Sequence, residues 1–94
     1  PDLMITEPTE LIGTGVAADM SYVATSVDAI MNIDPDIGIL VGGGIANGTD
    51  VYNTIMAGAD ATGSSSGIVK AADPGAMVYE MLEALRQAWD ERHK

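Results

Sequence analysis

Ile37-Gly38-Ile39-Leu40-Val41 is an almost unbroken apolar run that ends on three consecutive glycines, Gly42 to Gly44. A strand with one wet face alternates apolar and polar residues. One that is apolar throughout needs cover on both faces, as in a parallel sheet flanked by helices. The flanking sequence supplies that cover. Leu3 to Glu7 predicts an earlier strand, and Asp19 is a plausible N-cap for a helix from about Met20 to Met31. Val23, Val27, Ile30 and Met31 share one face of it, and Asn32 to Asp36, with Pro35, end it. After the glycines, Thr49 can cap a short helix with Val51, Ile55 and Met56 inward, closed by Gly58. Ala59 to Gly63 is expected to be a third strand by its place in the series, although Ala-Asp-Ala-Thr-Gly has little β-propensity. Asp73-Pro74 then opens a helix with an N-cap Asp and Pro at its first position. Met77, Met81, Leu82, Leu85 and Trp89 line one face, and Asp90 to Lys94 read as a frayed polar end.

Strands alternating with helices mean parallel strands and right-handed crossovers. A free-standing parallel sheet of three strands is unfavourable, because both faces want helices and both edges expose unpaired backbone. The expected fold class is therefore α/β, with residues 1–94 forming a piece of a larger sheet or barrel completed by another chain.

Aromatic residues are scarce, one Trp and three Tyr with no Phe, so the core must be aliphatic and methionine-filled. There is no Cys, hence no disulfide framework and no thiolate metal site, which suits a cytoplasmic protein. No apolar run approaches the ~20 residues that span a bilayer, and Pro1-Asp2 lacks the basic start of a signal peptide. A membrane partner is not expected. Fourteen acids face four bases, and Lys70 is the only cation before Arg86. Nucleic acid is excluded as a partner, since counterion release needs clustered Lys and Arg. Any phosphate held here must be held by backbone dipoles or by another chain's cations.

Three segments carry possible chemistry. Glu7 closes the first strand and precedes Pro8-Thr9-Glu10-Leu11-Ile12-Gly13-Thr14-Gly15, a loop with a glycine on either side of Thr14. A carboxylate beneath a mobile lid suits proton abstraction from carbon, where water must be excluded. Gly42 to Gly44 and Gly63-Ser64-Ser65-Ser66-Gly67 each follow a predicted strand and could bring backbone amides close to an anion. Each has a plainer reading: Glu7 as a surface carboxylate, the glycines as a turn, the serines as a linker. Lys70 reads as a helix-surface charge, Tyr22, Tyr52 and Tyr79 as packing residues, and His93 as an exposed tail residue.

Taken together, the run Glu7 to Gly15, Gly42-Gly43-Gly44-Ile45 with Asp50-Val51, and Ser65-Ser66-Gly67 leading to Lys70-Ala71 and Asp73-Pro74 closely resemble archaeal triosephosphate isomerase. The resemblance covers essentially the whole chain in order. It implies a (β/α)8 TIM barrel of which this chain supplies the last three β/α units. It implies Glu7 as catalytic base, Ile12 and Gly13 as the lid tip closing on phosphate, Gly44 as a backbone contact, and Ser65 and Ser66 as the amides that grip the phosphate. Pro8, Thr9, Glu10, Leu11, Thr14 and Gly15 complete the implied lid. Ala46 stands where relatives often have Ser. The family's electrophilic His and its Asn-x-Lys pair lie in the absent first five units. The resemblance thus implies isomerisation of triose phosphate only with a complementary chain carrying that His and Lys, in a higher oligomer. It implies no metal and no cofactor. The alternative is a non-catalytic phosphate-binding half-barrel or assembly module; another phosphosugar isomerase or an aldolase of the same fold is a further enzyme reading.

Overall fold

The structure, a computed structural model, describes residues 1–8, 16, 17 and 19–94. In chain order the elements are β1 (Leu3–Thr6), α1 (Met20–Ile33), β2 (Gly38–Val41), α2 (Gly48–Met56), α3 (Ser66–Val69) and α4 (Pro74–Arg92). β1 and β2 pair in parallel, with Leu3 beside Gly38, Met4 beside Ile39, Ile5 beside Leu40 and Thr6 beside Val41.

β2 is the centre of the sheet. Its even-numbered residues bond to β1, with Gly38 N donating to Asp2 O and Gly42 N to Thr6 O. Its odd-numbered residues face the segment that follows α2. The predicted third strand is reduced there to one parallel bridge, Leu40 with Ala61. The physical reason lies in its polar side chains. Val41 N donates to Ala61 O, and Ile39 O accepts from Asp60 N and Ala61 N. The Asp60 carboxylate takes the Ile39 amide, however, and the Thr62 hydroxyl takes the Val41 carbonyl. Side chains thus occupy two positions where a backbone ladder would run. Among the described residues the sheet has two strands and this bridge, where the sequence predicts three strands.

The core lies between β2 and the helices: Ile39 and Val41 from the strand, Val23, Val27 and Ile30 from α1, Val51 and Ile55 from α2, Met81 and Ala88 from α4. α1 starts as expected, with the Asp19 carboxylate accepting from Tyr22 N, but runs two residues past the predicted end and leaves Met31 exposed. α2 is capped by Asn47, whose side chain accepts from Asp50 N, instead of by Thr49. Asp50 in turn accepts from Ala46 N, the amide one residue before the cap, so both side chains hold the start of the helix. Met56, expected inward, is exposed. α4 buries Met81 and Ala88, whereas Leu82 and Trp89 face outward. Its end is not frayed as far as Arg92, whose guanidinium donates to Ile55 O and Ala59 O. Glu91 is held by the Tyr52 hydroxyl. No helix is long and apolar enough to cross a membrane among the described residues.

Asp19 gives one measurable pH effect. Hydrogen bonds from the Ser21 hydroxyl and the Tyr22 amide hold its carboxyl below the usual carboxylate range. A depressed folded-state value stabilises the fold above the unfolded value, about pH 4, and that stability is lost as pH falls through the lower folded value. The thermal midpoint should therefore drop with acidification below about pH 4. Asp19→Ala should flatten that part of the pH profile, as differential scanning calorimetry would show.

Candidate functional site

Glu7 follows β1 by one residue, and alternation along a strand puts it on the same face as Leu3 and Ile5. Its partner across the sheet is the first glycine of the triplet. A Cβ on Gly42 would lie 2.6 Å from Glu7 Oε1, so the carboxylate leans over a position that only hydrogen leaves open. Gly43 and Gly44 then turn the chain with φ of +97° and +75°, in the left-handed region that favours glycine. Pro8 is buried, its ring against Gly43. The Val16 carbonyl occupies the space a Gly44 side chain would need.

The second glycine-rich turn meets the first from the other side. A Cβ at Gly67 would overlap the Ile45 carbonyl oxygen and approach Ala46 Cα at 2.9 Å, so the two backbones touch there. α3 begins at Ser66 with Ser65 as its N-cap. Glu7, Gly43, Gly44, Ile45, Gly63, Ser64, Ser65 and Ser66 line one cavity of about 280 Å³. It opens at the C-terminal end of β1 and β2, where α/β folds gather their ligand-binding loops. The cavity brings together one carboxylate and two turns rich in backbone amides. That combination suits a small anionic ligand with an acidic carbon–hydrogen bond.

The structure therefore joins the predicted residues Glu7, Gly44, Ser65 and Ser66. Thr9, Glu10, Leu11, Ile12, Gly13, Thr14 and Gly15 lie outside the described residues. Lys70, exposed at the end of α3, does not line the cavity. His93 is exposed at the end of α4 and bonds to Trp89 O. Ser64 was legible only as one of a run of serines; its hydroxyl bond to Ile45 O requires the fold to be seen.

The site is thus an acid and two glycine-rich turns at the strand ends of a parallel α/β fold; sequence relatives make the comparison specific. The triosephosphate isomerase of Methanosarcina mazei is 40% identical over 85 residues, 87% of this chain and 38% of that protein. That of Methanosarcina barkeri is 38% identical over 88 residues, 90% of this chain and 40% of the relative. That of Metallosphaera sedula is 33% identical over 95 residues, 98% of this chain and 41% of the relative. The chain is homologous over nearly its whole length to triosephosphate isomerases, a TIM-barrel family, and spans about two-fifths of the length of the curated relatives it matches. Matches of this extent are what a C-terminal portion of the archaeal enzyme gives. No protein-family model matches the chain. In fold it superposes with a TM-score of 0.72 on a chain in the crystal structure of the Amycolatopsis orientalis BexX/CysO complex. The two are 22% identical, over 92% of this chain and 32% of that one.

Proposed function

We propose that the chain is the C-terminal part of a triosephosphate isomerase, contributing the sixth to eighth β/α units of the barrel. On this reading it interconverts dihydroxyacetone phosphate and glyceraldehyde 3-phosphate when a complementary chain supplies the first five units. The observation that carries the reading is the shared cavity: Glu7 and both glycine-rich turns line it together. The Glu7 carboxylate takes a proton from the carbon next to the carbonyl, and the electron pair moves into an enediolate. Glu7 delivers a proton to the adjacent carbon while the hydroxyl proton passes from one oxygen to the other, a transfer left to the histidine of the complementary chain. Protons therefore balance, and nothing is oxidised or reduced overall. Triosephosphate isomerase is itself the familiar case of a glutamate base paired with a neutral histidine beneath a closing loop. The turn amides and the start of α3 hold the phosphate, a mode that suits a chain with so few cations. The lid over the site is assigned to residues 8–15.

The exposed sheet supports the need for a partner. Leu3 and Ile5 are 50% and 64% exposed, on the face that carries Glu7. Asp2 O and Thr6 O bond to β2, so Leu3 and Ile5 turn their backbone groups toward the far edge of β1. No strand lies on that edge among the described residues. An apolar strand in this state calls for a parallel neighbour and a filled barrel interior.

Mixing the chain with a polypeptide of the first five β/α units should yield isomerase activity, read by a coupled assay, that neither has alone. A chain that folds as a homo-oligomer and binds phosphate, yet stays inactive with that polypeptide, would favour the non-catalytic module.

A further inference from the structure

The segment after α2 is held to β2 by backbone bonds at Asp60 and Ala61 and, in addition, it reaches its neighbours through side chains spaced two apart. Asp60 Oδ2 accepts from Ile39 N at 2.9 Å, Thr62 Oγ1 donates to Val41 O at 2.7 Å, and Ser64 Oγ donates to Ile45 O at 2.7 Å. The first two bonds fix the segment to β2. The third reaches past the strand into the first glycine-rich turn. Its acceptor is the point where the two turns meet, since the Ile45 carbonyl also fills the space beside Gly67. Ser64 and Ile45 both line the cavity that holds Glu7.

We propose that Ser64 is a positioning residue: its hydroxyl on the Ile45 carbonyl ties the 43–46 turn to the 63–67 turn, so that both amide sets face one anion. Asp60 and Thr62 help to hold the segment on which this tie depends. The part concerning the anion rests on the reading of the cavity as a phosphate site. Without the tie the Ile45 carbonyl loses a partner and the first turn is free to move away from the second. The Ala46 amide, which donates to Asp50, reports that movement directly because it is the next group along the backbone.

The test uses the full chain, with inorganic phosphate as the probe and amide exchange at Ala46 followed by NMR. Ser64→Ala should raise the phosphate dissociation constant about 5-fold and speed Ala46 exchange about 5-fold, the size of one neutral hydrogen bond. Ser64→Thr, which keeps the hydroxyl, should restore both. Unchanged exchange at Ala46 in Ser64→Ala overturns the proposal. So does a lowered thermal midpoint with phosphate affinity unaltered, which marks a merely structural serine. Ala46 exchange at the unfolded-chain rate in the unsubstituted chain overturns it too. Faster Ala46 exchange in Ser64→Ala, in a chain that binds no phosphate even unsubstituted, upholds the tie and removes the phosphate reading instead.

Discussion

Glu7→Gln is expected to lower kcat of the proposed reconstituted isomerase by about 10²–10⁴-fold while leaving phosphate affinity unchanged, as steady-state kinetics and a phosphate titration would show. Glutamine keeps the shape of glutamate and can lean over Gly42 in the same way, so the cavity stays intact. What it loses is the ability to accept a proton. Among the described residues, the others lining the cavity are glycines, one isoleucine and three serines, none of which can replace a carboxylate base near neutral pH. A loss confined to kcat would identify an interaction made only in the transition state. A rise in KM with kcat preserved would mean that residue 7 helps to hold the ligand and that the proton goes elsewhere. Activity that survives the substitution would remove Glu7 from the chemistry altogether.

The features legible in the sequence were those set by a residue's immediate neighbours. An apolar run entering three glycines reads as a strand followed by a turn, and β2 with Gly43 and Gly44 at positive φ is that, although only the face carrying Ile39 and Val41 is fully buried among the described residues. Asp19 and Asp73 stand directly before helical patterns, and each caps the helix it precedes. Where two residues could do the same job, local chemistry did not decide. Asn47 and Thr49 are both good caps. Asn47 prevails because Asp50, three residues on, answers it by binding the Ala46 amide. The third strand was unreadable for a deeper reason. Beyond the backbone bonds at Asp60 and Ala61, its placement comes from the side chains of Asp60, Thr62 and Ser64 reaching partners some 20 residues away in sequence, which no propensity records. Periodicity also shows which helix face is apolar without showing whether its partner lies in the same chain. Leu82, Trp89 and Met31 keep the expected spacing and yet remain exposed, as do Leu3 and Ile5 in β1. The complementary chain of the proposed barrel would cover the last two.

Gly44→Ala is the substitution at the turns expected to do most damage, and its contrast with Gly63→Ala isolates the cause. Gly44 has φ of +75°, which costs a residue with a Cβ about 1–3 kcal/mol. The added methyl would also overlap the Val16 carbonyl, a backbone group that cannot swing aside as a side-chain tip could. To make room, either the first turn must leave the cavity or residues 16 and 17 must back away from it. In the proposed enzyme both motions act on phosphate binding. One removes amides from the anion; the other shifts the chain just past the lid. At 1.4 kcal/mol per factor of ten, the backbone cost alone predicts a KM for triose phosphate raised by about one to two orders of magnitude. Gly63 lines the same cavity, but no atom of the described residues lies within 4 Å of its would-be Cβ and its φ is not positive. Gly63→Ala should therefore leave KM within about 2-fold of the unsubstituted enzyme, consistent with the small effects of substitutions that meet neither strain nor a clash. Equal losses at the two glycines would show that the cavity tolerates no added volume anywhere, and the special role of the Val16–Gly44 approach would fall. No loss at Gly44 would place the phosphate away from the first turn.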